Sequence, residues 1–108
     1  MAAMRATLHQ LEQTIALRRS ADPSQSYVAK LTSRGRGKIA QKVGEEAIET
    51  VIAALGGDAA EMVGESADLL FHWLVLLADC GISLDSVLDE LERREGLSGL
   101  VEKAARKE

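Results

Sequence analysis

Residues 61–79 read EMVGESADLLFHWLVLLAD, and the reading of this stretch decides the fold. Wound at about 100° per residue, Met62, Val63 and the apolar residues of 69–71 and 73–77 cover nearly the whole circumference of a helix. The exceptions Glu61, Glu65, Asp68, His72 and Asp79 fall in one stripe only about 60° wide. A helix apolar almost all round belongs to an interior. Its acidic stripe is therefore expected to face a cleft between helices rather than solvent.

Upstream, Glu45, Glu46 and Glu49 form an E-E-x-x-E run on a second apolar helix, and Glu65 and Asp68 form E-x-x-D. On that helix Val43, Ala47, Ile48, Val51 and Leu55 make a wide apolar face. Lys38 and Lys42 precede the glutamates along the other side. Alone, this stripe reads as a solvated face laced with lysine–glutamate pairs. Set opposite the stripe of 61–79, it reads as the second wall of an acidic cleft, because bundle sites are built from side chains on facing helices.

The punctuation between these helices is helical throughout. Leu8, Leu11 and Ile15 recur at helical spacing, giving a first helix over about residues 3–19, and Asp22-Pro23-Ser24 breaks the chain. A short helix over about 26–33 is followed by one over about 38–55 that stops at Gly56-Gly57. Asp58 and Glu61 look like an N-cap and capping box for the fourth helix, which ends at Gly81. Ser83 caps a fifth, reaching about residue 95, with Ile82 and Val87 spaced as a hydrophobic staple. A weak last helix is expected over about 100–107. No stretch alternates as a half-buried strand does. The expected fold is all-α, an antiparallel bundle of about five helices in a single domain over 1–108. The apolar excess of the fourth helix predicts a core completed by dimerisation, or a higher homo-oligomer.

Composition narrows the function. Of 108 residues 46% are hydrophobic but only 3% aromatic, so the core is Leu, Val, Ile and Ala. The net charge of −4 argues against a nucleic-acid backbone binder, although Arg34, Arg36, Lys38 and Lys42 leave room for one local anion site. The lone Cys80 cannot form an intrachain disulfide and is expected as a small apolar filler in a reduced, cytoplasmic setting. A signal-peptide layout is missing, and the apolar run 69–78 is too short to span a bilayer.

Like charges one turn apart cost a few tenths of a kcal/mol in water and more inside a bundle. Two such clusters need a cation. All-oxygen ligands favour Mg²⁺, with Mn²⁺ as a substitute, over iron or zinc. The expected ligands are Glu46, Glu49, Glu65 and Asp68, with Glu45 either behind them or serving a second ion; Glu45 and Glu46 are the candidate catalytic residues. Because Mg²⁺ is commonly shared with substrate phosphates, the cations Lys38, Lys42 and Arg34 point to a polyphosphate substrate, with Tyr27 the one aromatic in an open position. The expected chemistry is metal-assisted attack of water on a phosphoanhydride. Gly35-Arg36-Gly37-Lys38 is too short for a Walker loop but precedes a helix start that could cradle an oxyanion. His72 is expected as a hydrogen-bonded core residue rather than a ligand.

The E-E-x-x-E … E-x-x-D layout resembles the all-α, MazG-like nucleotide pyrophosphohydrolases. The strings SYVAKL at 26–31, KIAQKVGEEA at 38–47, ADLLFH at 67–72 and LSGL at 97–100 are, together, similar to the phosphoribosyl-ATP pyrophosphatases of histidine biosynthesis. The resemblance spans about residues 8–105. It implies Mg²⁺-dependent hydrolysis of 1-(5-phosphoribosyl)-ATP to the AMP derivative and pyrophosphate. Val28 stands where that family leads one to expect Thr, and 35–37 is richer in Gly and Arg. A housecleaning nucleoside triphosphate pyrophosphatase would share the acids. A non-catalytic dimeric helical adaptor would carry them as surface charge.

Overall fold

The computed structural model describes residues 2–95, and every described element is a helix: α1 Ala2–Arg18, α2 Tyr27–Ser33, α3 Arg36–Gly56, α4 Ala59–Cys80 and α5 Leu84–Glu95. The expected helix over 100–107 and the string at 97–100 lie outside the described residues.

Local chemistry sets the boundaries. Ser26 caps α2, its hydroxyl accepting from the Ala29 N–H at 3.2 Å, and Asp58 caps α4 by accepting from the Glu61 N–H at 3.1 Å. Gly57 and Gly81 close α3 and α4 at φ of 77° and 71°, the left-handed region where a Cβ is costly. The start of α5 has two caps. Ser83 Oγ accepts from the Ser86 N–H at 3.1 Å, and Glu12 of α1 accepts from the Leu84 N–H at 2.8 Å.

With only two residues between them, α3 and α4 form an antiparallel hairpin, the most extensive helix pair in the molecule. At one end of it α1, α2 and α5 gather round a core to which all five helices contribute: Ile15, Val28, Leu31, Ile39, Leu74, Val75 and Leu84. Phe71 and Trp73 pack against its edge.

The free end of the hairpin departs from expectation. The side of α3 facing α4 carries Ile39, Glu46 and Ala53, at a spacing of seven. Much of the wide apolar face read from the sequence is thereby turned outward, with Val43 and Ala47 half-buried. Ile48 is 63% exposed, Val51 57%, Ile52 60% and Leu55 84%, and Val63 of α4 is 71% exposed. Cys80, expected as filler, is exposed. Its neighbour Asp79 takes the inward position on the last turn of α4, which leaves the next residue pointing out.

Candidate metal and phosphate site

Inside the hairpin, Glu46 is one of two buried polar residues among those described. Glu46, Glu49 and Glu65 each offer a carboxylate oxygen, and these atoms lie within 4.8 Å of one another. Thr50 fixes the register of the two helices here. Its hydroxyl is 2.8 Å from the Glu46 carbonyl and 3.3 Å from the Glu65 carbonyl, both acceptors. The peptides of two of the acids are thus tied by one side chain.

The trio is electrostatically incomplete. Glu46 Oε2 and Glu65 Oε2 are buried oxygens with no hydrogen-bond partner among the described residues. Burial, contact with the Glu49 carboxyl and the charges of Glu49, Glu46 and Asp68 all push the Glu65 carboxyl above the usual glutamate range. Buried oxygens without donors are costly, and a hard cation is what such a donor set fits. Asp68, expected as a fourth ligand, is exposed one turn beyond Glu65 and is not among the three clustered residues.

Lys42 joins this trio to a second feature. Its ammonium is 3.6 Å from Glu46 and 3.5 Å from Glu45. Burial works against the charge. The Tyr27 oxygen, Glu45 and Glu46 outweigh it and raise the lysine above its ordinary value. On the far side of Lys42 opens a cavity of about 250 Å³ walled by Lys30, Arg34, Lys38, Lys42, Tyr27 and Glu45. Glu45 faces this cavity rather than the acid trio. Its carboxylate accepts from Gln41 Nε2 at 2.9 Å, and that bond, against some burial and with help from Lys42 and Lys38, holds it below the usual range.

Sequence reasoning placed Arg36 with the other cations, and the structure does not. Arg36 Nε donates to Asp79 Oδ2 at 2.8 Å and Nη2 to the Asp79 carbonyl at 2.8 Å, while Arg19 Nη2 reaches Asp79 Oδ1 at 3.1 Å. Asp79 is therefore a clamp between helices, not part of the acidic cleft. The helix begins at Arg36, so Gly37 and Lys38 lie in its first turn instead of forming a loop ahead of it.

The model of the phosphoribosyl-ATP pyrophosphohydrolase family matches residues 8–95. The chain belongs to this family. Among its relatives, the phosphoribosyl-ATP pyrophosphatase of Rhizorhabdus wittichii is 65% identical over 103 residues, covering 95% of this chain and 97% of the relative. That of Erythrobacter litoralis is 67% identical over 100 residues, covering 93% and 96%. That of Parvibaculum lavamentivorans is 56% identical over 108 residues, covering 100% and 99%.

In this pyrophosphohydrolase the acid trio and the cationic cavity meet at Lys42, an arrangement able to hold a cation on one side and phosphates on the other. Lys30 escaped the sequence reading, although it precedes Arg34 by one helical turn and so shares its face. His72 could be located only in part. Its burial follows from the pattern of α4, but its partners come from elsewhere: Nε2 is 2.8 Å from Tyr27 Oη and Nδ1 2.8 Å from the Asp68 carbonyl.

Proposed function

We propose that this chain hydrolyses phosphoribosyl-ATP to phosphoribosyl-AMP and pyrophosphate, the second step of histidine biosynthesis, in the cytoplasm. The observation that carries the reading is the junction at Lys42: partnerless buried carboxylate oxygens on one side, four cations round an open cavity on the other. A surface-charge adaptor would have no reason to bury Glu46.

Glu46, Glu49 and Glu65, with Asp68 one turn on, would hold Mg²⁺, or Mn²⁺ in its place. When bound, the ion supplies Lewis-acid polarisation of the phosphoanhydride and neutralises charge on the leaving pyrophosphate. The remaining work falls to the chain. Lys38, Lys42 and Arg34 hold phosphate oxygens, and Tyr27 lies toward the phosphoribosyl or base end. Lys42 adjoins both halves, so it is placed where charge grows as the α–β bond breaks. Glu45, kept ionised by Gln41 and Lys42, is suited to orienting the attacking water, and Glu46 would hold the ion while pairing with Lys42 of that wall.

The exposed apolar face of Ile48, Ile52, Leu55 and Val63 supports a homodimer closed over the hairpin. More of that surface lies on α3 than on α4.

Pyrophosphate release should be measured with phosphoribosyl-ATP beside a panel of nucleoside triphosphates, with Mg²⁺ and with chelator. Metal-dependent turnover selective for phosphoribosyl-ATP is expected. Equal or better turnover of a nucleoside triphosphate would reassign the chain to a housecleaning role, and no turnover of any would sink the enzymatic reading.

A further inference from the structure

Tyr27 opens α2 with half its surface exposed, yet it is not a loose aromatic. Its ring stacks on Phe71 at a centroid distance of 6.2 Å and 29° between planes, and it meets His72 edge-on at 5.7 Å and 86°. Phe71 and His72 are themselves perpendicular at 5.2 Å, so three rings fix one another. The hydroxyl is fixed too, by its 2.8 Å bond to His72 Nε2.

The direction of that bond follows from the other end of the imidazole. Nδ1 lies 2.8 Å from the Asp68 carbonyl, and a carbonyl only accepts. Nδ1 therefore carries the ring proton, and in the neutral ring Nε2 has only a lone pair. Tyr27 must donate. With its one proton committed to His72, the phenol oxygen can offer the cavity lone pairs and nothing else. Phosphate oxygens are acceptors as well, so this oxygen is poorly matched to a phosphate. It is matched to a ligand O–H or N–H.

We propose that Tyr27 and His72 are a specificity pair: His72 positions Tyr27 and consumes its proton, and Tyr27 accepts a hydrogen bond from a hydroxyl or nitrogen-bound hydrogen of the nucleoside or sugar part of the substrate. The pair separates the cavity's tasks, cations for the phosphates and the phenol for the remainder. His72 never touches substrate. Its link to the peptide of Asp68 also ties the substrate-reading group to the acidic helix. This inference rests on phosphoribosyl-ATP being the substrate.

The test is steady-state kinetics with phosphoribosyl-ATP on the full chain. Tyr27→Phe should raise KM by about tenfold with kcat within about twofold, the pattern of a contact remote from the reacting bond. His72→Leu should match it, His72→Gln, which keeps an acceptor, should recover most of the loss, and Tyr27→Phe/His72→Leu should be no worse than either single change. Additive effects, or changes confined to melting temperature, would overturn the pairing. Should His72→Leu fail to fold, the nitrogen-15 spectrum of the wild-type imidazole decides. A proton on Nδ1 with Nε2 accepting supports the proposal, and a proton on Nε2 overturns it. A substrate made from 2′-deoxy-ATP locates the donor. A Tyr27→Phe effect that vanishes with it assigns the donor to that hydroxyl, one that persists assigns it to the base or the other sugar, and an effect on neither substrate removes the proposal. If wild-type protein fails to turn over phosphoribosyl-ATP, the functional reading has failed instead.

Discussion

Around Ile39, Leu74 and Val75 apolar side chains are sealed inside, the half-buried Asp79 is paired with two arginines, and the ion pairs of Glu90 lie at the surface. Farther along the same two helices the order is reversed: Glu46 is buried with Glu65 beside it, while Ile48, Ile52, Leu55 and Val63 face outward. The first arrangement, the closed end of the molecule, stabilises a chain by itself. The second stabilises it only when something covers the apolar face and something neutralises the acids. The sealed core and the acid trio thus occupy different ends of one hairpin, with the cationic cavity lying against the core and meeting the acids at Lys42.

The largest effects should come from the apolar side of this contrast. On a monomer, Ile52→Asp would be a surface change worth within about 0.5 kcal/mol. If a second copy covers that face, the same change should yield a dissociated, inactive chain, and wild-type melting temperature should rise with protein concentration. Leu74→Ala should cost about 2–5 kcal/mol at any concentration, because its cavity lies within one chain. Sedimentation with melts over a concentration series reads both. A monomeric, fully active Ile52→Asp would erase the distinction between the two ends.

The acids supply the next effect. Glu65→Gln should lower turnover by at least about a hundredfold while leaving the metal-free protein no less stable, since one of several mutually repelling carboxyls is gone. The sign follows from the raised Glu65 value. The folded, metal-free chain holds that proton more tightly than the unfolded chain, so the stability it contributes is present below the ordinary 4.5 and is lost as pH rises past the folded value. The metal-free wild type should therefore lose ground to Glu65→Gln as pH rises above the ordinary 4.5. Asp79→Asn at the closed end should do the opposite. It should cost about 1–3 kcal/mol through the weakened Arg19 and Arg36 bonds, with turnover within about twofold. Melting curves and turnover of the two variants, measured together, would break the comparison if Asp79→Asn lost activity and Glu65→Gln lost fold.

The helix boundaries were the most legible features of the sequence, and the reason is range. Ser26, Asp58, Gly57 and Gly81 act on peptides within a turn or so of themselves, so the helix boundaries could be read from neighbours. The acids Glu46, Glu49 and Glu65 were legible because two acidic runs fall on neighbouring apolar helices, where Lys42 can offset only part of their repulsion. What the sequence hid was relational. The side of α3 that meets α4 is chosen by the fit at Ile39, Glu46 and Ala53, which no wheel of α3 alone reveals. The withdrawal of Arg36 to Asp79, 43 residues away, and the bond from Tyr27 to His72, 45 away, likewise depend on how helices dock.

Lys42 lies at the boundary of the two regions and tests whether it is structural or catalytic. Lys42→Ala should lower kcat by about tenfold or more if the ammonium meets charge developing in the transition state. A lowered melting temperature with unchanged kinetics would make it a neutraliser of Glu45 and Glu46 only. It would then belong with the ion pairs of the closed end, and the phosphate site would have to lie elsewhere.

The smallest effect is expected from the surface of α5, where the closed end keeps its charges in water. Glu90 accepts from Arg93 at 2.7 Å and from Arg94 at 2.8 Å, and these bonds, Arg93 first, hold its carboxyl down from the ordinary 4.5 to about 2. A depressed carboxylate contributes stability above the unfolded value and loses it as pH falls through the folded one. Glu90→Gln should therefore melt slightly below wild type at neutral pH. The gap should close as pH drops from about 4.5 toward about 2, and at neutral pH it should shrink in concentrated salt, which screens exposed pairs. A gap as large as that of Asp79→Asn would mean that surface charge, and not the apolar core, holds this end of the molecule together.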